Sequence, residues 1–397
     1  MYLTNLCRAA FIASVVYSCD LFAENEMETN FSGYARIVGG YLDDDAEYFG
    51  YGDSLSFEQN SLIGLQGQVK INDQLSITGL GILHSNSDID SGVEWLYLSY
   101  RPVDALNIKI GQMQTPFYSL SDTLDVGYSY PFVIAPREVY SDFIFKKFQG
   151  IDFRYSFINQ DFTSHLEVYY GKFDDEITVN RLKVDTEVDD LSGVIGEFRV
   201  DNFNIRASYH TGDVTTMLPG LPEFADLLSQ SGFNYAADSL NTENGKADFS
   251  QLSFGYNSLD YLVKAEWVSI KLNQDIFSDV EGYYLTYGLY IDSVTALITY
   301  ARRNDNTSNV TNEIPIGVSP QLDQLSFAYQ AILDSRVRDD TESWTLGIRW
   351  DFADNLAFKT ELKHIESTSD NSTTFTREAP NFDNKANLLL VALEWVF

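Results

Sequence analysis

The stretch Ala386–Phe397, ANLLLVALEWVF, limits most sharply what this chain can be. Side chains alternate across an extended strand, so Phe397, Trp395, Leu393, Val391 and Leu389 share one face. Val396, Glu394, Ala392 and Leu390 share the other, which is more mixed. A strand of roughly ten residues with one unbroken apolar face and a terminal aromatic suits a lipid-facing strand that closes a sheet on itself. A buried strand of a soluble sheet carries the same local pattern, so the rest of the chain must separate the two.

The same alternation recurs upstream, in pairs joined by short polar turns. Ile151, Phe153, Tyr155 and Phe157 alternate with Asp152, Arg154 and Ser156, and after Asn159-Gln160 come Phe162, Leu166, Val168 and Tyr170. Val194, Phe198 and Val200 precede Asp201-Asn202, and Phe203, Ile205, Ala207 and Tyr209 follow it. Equivalent pairs flank 257–260, 292–293 and 353–355, with two earlier turns at 72–74 and 101–104. These pairs predict about sixteen antiparallel strands. They lie near 31–41, 59–71, 75–84, 93–101, 105–114, 149–158, 161–172, 190–201, 203–211, 247–257, 260–270, 281–291, 294–303, 343–352, 356–366 and 386–397. Leu325–Leu333 is a candidate for an additional strand, which would raise the count to about eighteen. Short turns on one rim and long polar loops on the other are the asymmetry of an outer-membrane barrel. The prolines fall in the predicted loops and turns, as they must where every strand N–H needs a partner in lipid. Aromatics cluster beside the short turns, where an interfacial girdle sits. The fold class is therefore all-β, a transmembrane antiparallel barrel.

Met1–Ala23 carries a single Arg8, an apolar run from Ala9 to Tyr17, and Leu21-Phe22-Ala23 ahead of the polar Glu24-Asn25-Glu26. That run is too short to cross a bilayer. It predicts a signal peptide over 1–23, cleaved after Ala23, and a barrel domain over 24–397. Cys19 offers a lipoprotein signal as the alternative, with Val16-Tyr17-Ser18 a poor match. Both cysteines, Cys7 and Cys19, lie in this segment, so disulfides would play no part in the mature chain. A formal net charge of −32 argues against a nucleic-acid partner, which needs clustered Lys and Arg. A mean hydropathy of −0.18 is polar for a membrane protein, yet only alternate residues of a barrel face lipid.

A barrel of this size leaves an aqueous lumen that its wall side chains do not fill. The third long connection, 115–148, is rich in aromatics, among them Phe117, Tyr118, Tyr128, Tyr130, Phe132 and Tyr140. It is expected to fold into the lumen as a constriction; packing over the mouth or against a neighbouring subunit is the alternative. Its charges are Asp122, Asp125, Glu138 and Asp142 against Arg137, Lys146 and Lys147. Arg36, Lys70, Arg349, Lys359 and Lys363 fall on the lumen side of the first two and last three strands, which barrel closure brings together. An acidic loop facing that basic wall would set a transverse field that filters solutes. Asp152, Glu167, Glu197, Glu266, Asp351 and Glu361 also point inward, so scattered, solvated charge is an equal reading.

The run Gly111-Gln112-Met113-Gln114-Thr115-Pro116-Phe117, with Ser121–Tyr128 and Pro136-Arg137-Glu138-Val139-Tyr140, resembles porin-like proteins of marine gammaproteobacteria. Over its length the chain resembles Gram-negative outer-membrane porins of the sixteen-stranded type, whose third loop forms the constriction. It lacks the commonest acidic constriction motif of the enterobacterial general porins. The resemblance implies passage of small hydrophilic solutes and ions, an outer-membrane location among lipid and lipopolysaccharide, and commonly a homotrimer. It also implies that the ending Trp395–Phe397 is an assembly signal read by the barrel assembly machinery. A trimer would use outward residues such as Leu96, Leu98, Tyr100, Leu389, Val391 and Leu393, which equally suit lipid. A substrate-selective channel and a structural or adhesive barrel without an open pore remain alternatives.

Enzyme readings have little support. His84, His165, His210 and His364 are widely spaced, and neither Gly-x-Ser-x-Gly nor His-Glu-x-x-His occurs. His210 with Thr211 and Asp213 is the nearest approach to a catalytic set. The acidic runs 43–45 and 88–90 lack EF-hand spacing and read as solvated surface, so neither a metal nor a cofactor is expected.

Overall fold

The computed structural model describes residues 27–141, 145–179, 182–369, 372–376 and 382–397. The predicted signal segment with its cysteines, and Asp142, lie outside these residues.

Sixteen strands close into one antiparallel barrel. They are β1 (Glu28–Leu42), β2 (Leu62–Lys70), β3 (Leu75–His84), β4 (Gly92–Val103), β5 (Leu106–Gln114), β6 (Lys147–Ile158), β7 (Phe162–Val179) and β8 (Leu182–Val200). They continue with β9 (Phe203–Thr216), β10 (Gly245–Asn257), β11 (Tyr261–Leu272), β12 (Ser278–Ile291), β13 (Val294–Thr307), β14 (Thr341–Ala353), β15 (Leu356–Ser367) and β16 (Lys385–Val396). Each strand pairs with its sequence neighbours, and β1 pairs with β16 from Tyr34↔Val396 to Leu42↔Leu388. Closure removes the exposed edges that an open sheet would have to protect.

The short turns form because their residues accept left-handed backbone. Asp201, Asp292 and Asn355 have φ of 48°, 53° and 63°, the conformation that tight hairpins demand and that Asp and Asn tolerate. Prolines respect the ladder, with one refinement. Pro102 sits inside β4, where the register to β5 is interrupted between Tyr100 and Val103.

Alternation divides the wall into two faces. Outward positions such as Leu96, Phe153, Leu166, Leu285, Leu346 and Leu389 are large, apolar and exposed. Beside the short turns the outward rings touch in sequence. Phe203–Tyr256, Tyr256–Tyr261 and Tyr261–Tyr287 have centroids 4.7, 5.3 and 5.9 Å apart, and Trp395–Phe397 lie at 4.6 Å. Gly33 on β1 exchanges backbone hydrogen bonds with Phe397, and a Cβ there would overlap the Phe397 ring. The terminal aromatic thus occupies a space that only glycine leaves open.

Three connections differ from the expectation. Leu325–Leu333 is no strand but part of helix Pro320–Asp334. Ser319 caps it, Pro320 occupies the first turn, and Leu325, Tyr329 and Leu333 fall at four-residue spacing on its buried side. The expected loop 173–189 continues β7 and β8 as a hairpin instead. Phe173↔Val188 and Ile177↔Val184 pair on its buried face, while Asp174, Glu176, Asp185 and Glu187 occupy the exposed one. The connection 217–244 contains helices Leu221–Gln230 and Asn234–Asp238, which pack with Pro320–Asp334 around Leu228, Leu240 and Tyr329.

Candidate functional site

The connection between β5 and β6 is bonded to the buried face of the wall along much of its length. Its local structure is two 3-10 turns, Ser121–Thr123 and Gly127–Ser129, and helix α1 (Arg137–Tyr140). Turns this short leave most backbone groups without internal partners, so wall side chains must supply them.

At its start, Arg206 of β9 donates to the carbonyls of Pro116 and Phe117 (3.2 Å to the latter) and to Gln251 Oε1 at 2.6 Å. Glu266 of β11 is buried and accepts from Ser119 N at 2.8 Å, Ser119 Oγ at 2.6 Å, Gln251 Nε2 at 2.8 Å and Tyr140 Oη at 2.5 Å. These donors satisfy the hydrogen-bonding capacity of a buried carboxyl group. The rings of Phe117 and Tyr118 pack on Phe249 of β10, with centroids 4.9 and 5.1 Å away.

The middle of the connection rests on the cations of the closure region. Arg36 donates to Tyr130 Oη at 3.0 Å and to Asn60 O at 2.8 Å. Arg349 donates to the carbonyls of Tyr128 and Tyr130 at 2.8 and 3.0 Å, and Asp351 lies 2.8 Å from its other nitrogen. Lys359, fully buried, donates to the carbonyls of Gly127, Tyr130 and Phe132 at 2.8, 2.7 and 2.8 Å. Its counter-ion is Glu394 of β16, 2.5 Å away. Glu361 Oε1 accepts from Val133 N at 2.9 Å.

Helix α1 is held by an ion pair between Glu138 and Lys363 at 2.9 Å, with Tyr48 Oη 3.2 Å from the same ammonium. Burial works against ionisation of Glu138, but Lys363 and Ser343 outweigh it and hold the carboxyl below its usual range. Gly282 on β12 lets the helix approach, since a Cβ there would overlap the carbonyl of Glu138. Arg137 stacks over the Phe49 ring at 4.0 Å. Burial opposes the charge of Asp125 too, yet Lys146 at 3.2 Å, together with Arg36, keeps its carboxyl below the ordinary range. Asp122 is exposed.

Four of the five expected wall cations, Arg36, Arg349, Lys359 and Lys363, therefore meet this connection. Lys70 does not. It has the inward parity but stands at the short-turn rim, paired with Glu28 at 2.7 Å. The charge pattern also differs from an acidic loop opposed to a basic wall. The cations receive mostly backbone carbonyls, Arg349 and Lys359 find counter-ions in the wall itself, and Asp125 pairs within its own segment. Lys363–Glu138 is the loop-to-wall ion pair found among the described residues. Arg206, Gln251 and Lys359's partner Glu394 were not singled out from sequence. An inward polar or charged residue on a strand was their only signal.

The His210 set does not assemble. His210 points inward, with Nδ1 2.8 Å from Tyr169 Oη, while Thr211 hydrogen-bonds Asp248 at 2.8 Å. Alternation puts Thr211 and Asp213 on the opposite face from His210.

No protein-family model matches this sequence, and no curated protein matches it. Solved structures do. The in-vitro folded OmpT of Vibrio cholerae in its trimer form shares 12% identity, with a TM-score of 0.53 over 94% of this chain and 100% of that one. OmpF of Salmonella typhi in complex with daunomycin shares 11% identity, with a TM-score of 0.55 over 94% and 98%. The anion-selective porin of Comamonas acidovorans shares 11% identity, with a TM-score of 0.55 over 94% and 100%. At such identities the likeness is one of fold: the closed sixteen-strand barrel of outer-membrane porins.

Proposed function

We propose that this chain is an outer-membrane porin of a Gram-negative bacterium, a water-filled channel for passive diffusion of small hydrophilic solutes and ions. One observation carries the reading. The closed barrel is apolar and aromatic outside, while its inner face is charged, with Lys109 and Arg154 still 24% and 30% exposed. A wall built only to be filled would not leave charges half-solvated.

In this reading the connection 115–148 lies inside the barrel and narrows it, with Asp122, Asp125, Arg137 and Glu138 in the constriction segment. Arg36, Arg349, Lys359 and Lys363 anchor that segment. A single segment bonded to inward side chains of β1, β9, β11, β13, β14 and β15 supports this placement, since strands on opposite sides of a closed barrel are reached together only from within. A structural barrel without an open pore is the second reading, favoured by how thoroughly the β9–β16 side is buried. No catalytic role is assigned, because the histidine set lacks its partners. The exposed outward rows of β4 and β16 suit either lipid or the other two copies of a homotrimer. Lipopolysaccharide around the long loops, and the barrel assembly machinery acting on Trp395 and Phe397, complete the expected partners.

Conductance of the purified barrel in planar bilayers tests the proposal. Stable steps that grow with salt are expected. With a net charge of −32, weak cation preference should appear at low salt and fade as the screening length falls from about 10 Å at 0.1 M to about 3 Å at 1 M. No conductance from correctly folded protein would favour the structural reading.

A further inference from the structure

One strip of the inner wall, on β5 to β8, differs from the rest. Its inward positions carry Lys109, then Asp152 and Arg154, then Glu167, then Glu197 and Arg199. The register sets Lys109 beside Asp152 and Arg154 beside Glu167, so opposite charges face each other from β5 to β6 and from β6 to β7. Lys109 Nζ is 3.8 Å from Asp152 Oδ1, and Arg154 lies 3.6 Å from Glu167 and 3.7 Å from Glu197. These separations give attraction but are too long for direct hydrogen bonds. The side chain of Asp152 is buried, and both of its carboxylate oxygens lack a hydrogen-bond partner among the described residues. A buried carboxylate in that condition calls for a donor from water or a solute. Exposed Asp122 of the connecting segment lies within electrostatic reach of Lys109 and Arg206.

We propose that this strip is a binding track for small zwitterionic solutes of amino-acid type, resting on the channel reading above. A monovalent ion on the track meets attraction and repulsion on neighbouring strands about 5 Å apart, which largely cancel. An uncharged solute gains only ordinary hydrogen bonds. A zwitterion carries an ammonium and a carboxylate a few ångströms apart and can bridge one loose pair. Its ammonium meets Asp152 or Glu167, while its carboxylate meets Lys109 or the planar fork of Arg154, which suits carboxylates. Because the Lys109–Asp152 and Arg154–Glu167 pairs are not hydrogen-bonded, insertion there breaks no strong contact; Glu197, bonded to Arg199 at 2.6 Å, is already occupied. On the buried side, Arg349 and Lys359 are already bonded to backbone carbonyls, Arg36 to Tyr130 and Asn60, and Lys363 to Glu138.

Swelling of proteoliposomes in glycine, compared with its uncharged isomer glycolamide, reads this directly. In the double variant Arg154→Gln/Glu167→Gln, which leaves net charge unchanged, the glycine-to-glycolamide rate ratio should fall by about two- to fivefold. The charge-swapped Arg154→Glu/Glu167→Arg should keep the wild-type ratio. A second neutral pair, Lys109→Gln/Asp152→Asn, gives the same readout if the first does not assemble. An unchanged ratio in a variant that still conducts would overturn the track and leave the channel standing. Absence of both conductance and swelling from folded wild-type protein would overturn the channel reading itself.

Discussion

Replacing Lys359 with Met tests how the connecting segment is fastened. The ammonium is fully buried, donates to three carbonyls of the segment at 2.7–2.8 Å, and faces Glu394, whose side chain is 1% exposed. Removing it strands a buried carboxylate, at about 3–5 kcal/mol. The carbonyls of Gly127 and Phe132 lose this donor and add about 1 kcal/mol each if they stay dry, while that of Tyr130 keeps Arg349. The single variant should therefore lose about 5–7 kcal/mol, unless the segment leaves the wall and rehydrates. Glu394→Leu alone leaves Lys359 its three carbonyls and costs about 1–3 kcal/mol. The double variant retains only the carbonyl loss, about 2 kcal/mol. Non-additivity should thus amount to at least about 4 kcal/mol. Urea unfolding of the vesicle-reconstituted barrel, followed by tryptophan fluorescence, measures the cycle. Protease sensitivity of 115–141 reports whether the segment detaches. A coupling below about 0.5 kcal/mol, with a segment as resistant in Lys359→Met as in wild type, would refute the reasoning.

Two further outcomes follow from the same contacts. Gly33→Leu should displace the Phe397 ring, cost about 1–3 kcal/mol, and lower the fraction that refolds into vesicles; an unchanged folded fraction by heat-shifted electrophoresis counts against it. For Glu138 and Asp125, burial is outweighed by Lys363 and Lys146, so both folded-state pKa values lie below their unfolded values. Their stabilisation is complete above the unfolded values of about 4.3 and 3.9 and is lost as pH falls through the folded ones. Hydrogen-exchange protection over 134–141 should therefore hold from pH 8 to about 5 and fail only below about 4; loss near pH 6 would show that other groups hold the segment.

The barrel itself was legible in the sequence because its signals are local. Alternation at 151–157 and 389–397 names the outward face, Asp201-Asn202 and Asp292-Ser293 name the tight turns, and prolines other than Pro102 mark the connections. Each is dictated by the two-residue repeat of a strand and by hydrogen bonding in lipid, so strand count and order follow with little help from distant residues. Where apolar spacing was sparse the reading failed. Phe173 with Ile177, and Val184 with Val188, stand four residues apart among acidic neighbours and resemble a loop. Leu325, Tyr329 and Leu333 have a helix's spacing inside a stretch short enough to pass for a strand. The tertiary structure alone decided what the inner wall does with its charges. Sequence placed Arg36, Arg349, Lys359 and Lys363 on one face, but could not show that backbone carbonyls of 124–132 meet the first three and Glu138 the fourth, or that Lys70 stands apart at the rim. Nor could it show that Lys109, Asp152, Arg154 and Glu167 stay loosely paired. Those outcomes depend on where an irregular segment comes to rest across the barrel, and backbone acceptors leave no trace in residue identity.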